Sequence, residues 1–223
     1  MRMAIKDVKF MNKEAYLLKD ISLTLCDCEE HMKAIKYEDV YMNYRDFKNP
    51  DVENTRFPSI IFAFYNIVFN LNKLPSPEEL IKEYYAINSD DFILQGESII
   101  YYDKTFLKKH IDARILRTYP SLVRDYHFYL MLVQSNCFDK VIYSCKTDIS
   151  GKAIIIKHNN VEYQISLFVE TKRSGFFKNL KNKYRHSYDN EIQLPLDLNR
   201  AEKCGDFYVY GLNEIEKIKR IIL

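Results

Sequence analysis

The 223-residue chain has no tryptophan, little net charge, and no apolar run near the roughly 20 residues a membrane span requires. The missing run excludes a membrane-spanning protein. The opening Met1-Arg2-Met3-Ala4 carries no apolar signal-peptide stretch, so the expectation is a cytoplasmic protein with no membrane partner. Cysteine is present in an odd number (Cys26, Cys28, Cys137, Cys145, Cys204) without a repeated spacing, which excludes a disulfide scaffold and a zinc knuckle. The histidines form no HExxH-type pair. Internal repeats and low-complexity linkers are also absent.

What is there suits a sizeable core. Apolar residues make up 47% and charged residues 29%, with 18 Tyr and 14 Phe to pack. The formal charge of +2 conceals a division: residues 1–100 carry net −5 and residues 101–223 carry net +7. A basic half of this kind points to a polyanionic partner.

The first part of the chain reads as mainly helical. Phe57 to Leu71 is an apolar helix opening at Pro58. Ser76, Pro77 and Glu79 form an N-cap, a first-turn proline and a capping box. Asp103 caps a helix to about Arg117, and Pro120-Ser121 restarts one that ends near Ser135. The period then shortens. Lys140 to Cys145, Ala153 to His158 and Val161 to Glu170 read as strands, with Asn159-Asn160 as a two-residue turn. Lys172 to Arg185 reads as a helix, Glu191 to Leu196 and Phe207 to Leu212 as strands, and Asn213 as the cap of a last helix.

Three residues in that stretch have a chemical use. If Asn159-Asn160 is a two-residue turn, His158 faces Val161 and Asp148 falls opposite Thr171, between Glu170 and Lys172. Glu170 and Lys172 share a strand face. Two carboxylates can hold Mg²⁺, and a neighbouring lysine can position water or offset charge on a phosphate.

Asp148 with Glu170-x-Lys172, in the order α-β-β-β-α-β over about residues 112–212, resembles the PD-(D/E)xK nuclease superfamily. The resemblance implies an α+β chain of α/β type. A helical N-terminal region, residues 1–111, would serve as a recognition or partner-binding module. A restriction-endonuclease-like core with a mixed sheet would follow at 112–223. It implies a metal-dependent endonuclease acting on nucleic acid, here DNA, of restriction, phage-defence or mobile-element type. Asp148 and Glu170 would bind Mg²⁺ or Mn²⁺, and Lys172 would complete the catalytic group. In a second placement the family aspartate position is Ala153, opposite Ser166, and the strand pair becomes Gln164-x-Ser166. Gln164 then remains to contact metal or water, and the protein is a nonhydrolytic relative that binds nucleic acid. A protein-interaction module is the third alternative.

Downstream, residues 172–185 hold six basic side chains and no acidic one. Lys178 and Lys181 share a helix face, and Arg173, Lys183 and Arg185 add phosphate-neutralising charge. Ser174 places a backbone NH near the expected helix start. Arg124 and His127, on the preceding helix, are further candidates for phosphate contact.

Overall fold

The computed structural model describes residues 22–143, 154–170 and 190–223. Helix α1 (Leu25–Ala34) starts where Thr24 and Asp27 cap each other: Asp27 N–H donates to Thr24 Oγ1 at 3.2 Å, and Thr24 N–H donates to Asp27 Oδ2 at 2.8 Å. Two short helices follow, α2 (Tyr37–Met42) and α3 (Pro50–Asn54), the second capped by Asn49. Helix α4 (Ile61–Leu71) buries most of its surface, including Phe62, Phe64, Tyr65 and Phe69. It opens three residues later than Pro58, the expected start. The Pro58 carbonyl accepts the buried Tyr84 hydroxyl at 3.0 Å and so lies outside the helical ladder.

Helix α5 (Pro77–Ile87) has the expected capping box, with Ser76 Oγ accepting from Glu79 N–H and Glu79 accepting from Ser76 N–H at 3.0 Å. Ser76→Ala removes the acceptor of the Glu79 N–H. It should lower stability by about 1 kcal/mol, read as a shift in the urea midpoint.

The next segment departs from the helical reading. Strands β1 (Phe92–Gln95), β2 (Ser98–Tyr101) and β3 (Lys104–Leu107) form an antiparallel meander. Asp103 sits in the β2–β3 turn rather than at a helix start. The meander folds Tyr101 and Phe106 against Phe57, with ring centroids 4.9 and 5.2 Å away. A helix across these residues would forfeit that burial.

Helix α6 (Lys108–Ser135) runs through Pro120 without a break, where two helices were expected. Proline at 120 denies the Leu116 carbonyl its helical donor. The Tyr37 hydroxyl supplies one instead, at 2.9 Å. α6 is the spine of the molecule, and the 111/112 division falls inside it. Tyr37 stacks on Tyr119 of α6 and packs on Phe207, so elements from both ends of the chain share one apolar core.

α6 also carries buried His127, whose Nε2 lies 3.8 Å from Glu29 Oε1. Burial lowers its pKa from the usual 6.5, against the opposing pull of Glu29; half-buried His31, against the Pro75 carbonyl, is lowered in the same way. The unfolded chain therefore binds more protons, and stability falls with pH once it drops below about 6.5. His127→Gln should flatten that fall in urea midpoints measured across this range.

The sheet next to α6 is mixed. Strands β4 (Lys140–Tyr143), β5 (Ile154–His158) and β6 (Val161–Val169) are antiparallel neighbours, and β7 (Glu191–Leu196) pairs parallel to β6. The β5–β6 register is the expected one: His158 faces Val161 across Asn159 and Asn160, which adopt φ of 50° and 63°. Tyr143, Ile154, Ile165 and Ile192 align on the face toward α6, where Tyr143 meets Tyr126 at 5.4 Å. A separate hairpin, β8 (Glu202–Cys204) and β9 (Phe207–Val209), replaces the expected longer strand from Phe207 to Leu212. The last helix, α7 (Leu212–Ile222), is capped at Gly211 and not Asn213, because Glu214 reaches back to accept the Gly211 N–H at 2.9 Å. Helices and mixed sheets thus make an α+β protein. Among the described residues no helix is long and apolar enough to cross a membrane.

Candidate functional site at the parallel strand pair

On the sheet face away from α6, β6 presents Gln164, Ser166 and Phe168, and β7 presents Glu191, Gln193 and Pro195. The Ser166 hydroxyl is buried and donates to Glu191 Oε1 at 2.7 Å. Gln164 stands directly beside Glu191, with its N–H donating to the Asn190 carbonyl at 3.0 Å. A glutamine, a serine and a glutamate therefore gather at the start of β7. Glu191 was missed in the sequence, because only the parallel pairing brings it to β6.

Glu170 lies at the other end of the same strand. Its N–H donates to the Leu196 carbonyl at 2.9 Å, which extends the β6–β7 ladder by one bond, and its side chain is exposed. Six positions separate Gln164 from Glu170, about 20 Å along a strand, so the two cannot share one metal shell. The two placements of a catalytic group are thus alternatives at opposite ends of β6.

Beside Glu170, at the carboxyl ends of the parallel pair, is an open cleft of about 540 Å³. It is lined on one side by Pro195–Asp197 and on the other by Gly211, Glu214, Lys217 and Arg220 of α7, with Arg200 and Glu202 between. Crevices at the carboxyl ends of strands are the usual ligand sites of open sheets with parallel strands. Apart from Glu170, the charged residues of this cleft come from two separate stretches of sequence, 197–202 and 214–220, and carry no motif.

Arg124, a candidate for phosphate contact, is enclosed in the fold. It is buried, with Nε 3.2 Å from Asp125 Oδ1 and its guanidinium 5.7 Å from the centre of the Tyr210 ring. Burial raises the Asp125 carboxyl while Arg124 pulls it down. His127 is likewise enclosed beside Glu29. Arg124 thus packs α6 on Tyr210, and His127 packs it on α1.

Asp148, Ala153, Lys172, Arg173, Ser174, Lys178, Lys181, Lys183 and Arg185 lie outside the described residues. Among the described residues, no group of three or more His, Cys, Asp or Glu side chains is arranged to hold a metal ion. Glu170 contributes one exposed carboxylate, the hard oxygen donor that Mg²⁺ or Mn²⁺ takes alongside water. No protein-family model, characterised protein or solved structure matches the chain.

Proposed function

We propose that the protein is a metal-dependent endonuclease that hydrolyses phosphodiester bonds in DNA, with a restriction-endonuclease-like core. One observation carries this reading. A long helix packs on a mixed sheet whose first three strands are antiparallel and whose fourth is parallel to the third, and this leaves Glu170 at the mouth of a cleft. The helix-then-strands order is the one implied by the resemblance carried by Asp148 and Glu170-x-Lys172.

In this reading Asp148 and Glu170 hold the ion, and Lys172 positions the attacking water or offsets charge on the phosphate. A bound Mg²⁺ or Mn²⁺ would lower the pKa of a water and neutralise phosphate oxygens. The Glu170 backbone is pinned to β7 while its carboxylate is free to point into solvent.

A specific observation favours a second reading, a nucleic-acid-binding relative that does not hydrolyse. Ser166 is committed to Glu191, and the Gln164-x-Ser166 pair offers neither an acid nor a lysine. Incubating the protein with plasmid and single-stranded DNA, in Mg²⁺ or Mn²⁺ and in chelator, separates the two. Cleavage only with metal supports the nuclease. Salt-dependent binding with no cleavage in either metal replaces it with the second reading.

A further inference from the structure

We infer that Arg200, Lys217 and Arg220 form a wall of the Glu170 cleft that receives the phosphodiester backbone of a nucleic acid; this rests on the nuclease reading above. Lys217 and Arg220 are one turn apart on α7 and share a face. Arg200 stands on the turn after β7, its side chain 90% exposed. All three line the same cleft as Glu170.

The cleft is lined by five carboxylates as well, Glu170, Asp197, Glu202, Glu214 and Glu216, and the engagements of three of them bear on what the cations can do. Glu214 accepts the Gly211 N–H and pairs with Lys217 at 3.1 Å. Asp197 accepts the Asn199 N–H at 3.0 Å and lies 3.7 Å from Arg200. Glu216 pairs with Lys219 at 2.8 Å. Exposed pairs like these are worth about 0–1 kcal/mol each, so a phosphate competes readily for Arg200 and Lys217. Arg220 makes no hydrogen bond or ion pair to a described residue. Three cations spread from a turn to a helix along an open cleft fit an extended polyanion better than a compact one.

The test is the binding of the full chain to a short labelled DNA duplex in chelator, followed by anisotropy over a salt series. The triple variant Arg200→Ala, Lys217→Ala, Arg220→Ala should bind more weakly. Its slope of log affinity against log salt should fall by about 1 for each lost contact. Lys219→Ala, on the same helix but outside the cleft, should leave affinity and slope near those of the native chain. An unchanged slope in the triple variant overturns the inference, as does an equal fall in Lys219→Ala. Displacement of the duplex by inorganic phosphate at stoichiometric concentration also overturns it, since the wall would then hold free phosphate. Glu170→Gln separates this from the nuclease reading. Loss of the salt slope in the triple variant with no metal-dependent cleavage leaves the binding wall and removes the nuclease. Cleavage that needs Glu170 with an unaltered slope does the reverse.

Discussion

Glu170→Ala is expected to lower metal-dependent DNA cleavage by about 10²–10⁴-fold while leaving the fold intact. The size follows from the several kcal/mol that a metal contributes to phosphate charge stabilisation, at 1.36 kcal/mol per tenfold in rate. The intact fold follows from the backbone. The Glu170 N–H bond to the Leu196 carbonyl survives any side-chain change, and the exposed carboxylate buries nothing. Stability should therefore shift by no more than about 0.5 kcal/mol. Initial cleavage rates beside urea midpoints for the two proteins check both halves. Cleavage that survives the substitution removes Glu170 from the site.

The largest expected effect on stability is at Gly205, in the β8–β9 turn. Its φ is +58°, and a Cβ there would stand 2.4 Å from the Met32 carbonyl oxygen and 3.2 Å from Lys33 Cα. Both obstacles are backbone of α1, which cannot rotate away as a side chain would. Gly205→Ala should cost about 3 kcal/mol or more, combining left-handed strain with forced displacement of α1. Gly96, in the β1–β2 turn, has the same φ of +58° but nothing within 4 Å of a built Cβ. Gly96→Ala should cost only the strain, about 1 kcal/mol. The difference between the two urea midpoints isolates the close approach of hairpin and helix. Equal costs would show that the hairpin does not bear on α1.

That hairpin also bears on the site, since Glu202 of β8 lines the cleft and Asp206 in its turn accepts the Glu38 N–H at 3.1 Å. Elements α1 and α2 thus contact the hairpin that carries Glu202.

Local chemistry was the legible part of the sequence. Ser76, Pro77 and Glu79 announce their helix because all the partners lie within four residues. Asn159-Asn160 sets the β5–β6 register because both residues tolerate positive φ and the flanking runs are β-branched. What escaped depends on distant partners. α6 continues through Pro120 because Tyr37 supplies the missing donor to Leu116. Arg124 is enclosed because Tyr210, from the other end of the chain, packs on it. The meander from Phe92 to Leu107 consists of strands too short to show a period, stabilised by contact with Phe57. The site divided in the same way. The Glu170 carboxylate was identifiable as a residue type, whereas its cleft required β7, β8 and α7 to converge.

The central claim is that Glu170 is a metal ligand, and a crystal of the native chain soaked in Mn²⁺ tests it most directly. The claim predicts an anomalous peak within coordination distance of the Glu170 carboxylate, with Asp148 as its second protein ligand. A crystal saturated with Mn²⁺ that shows no ion at Glu170 would contradict it.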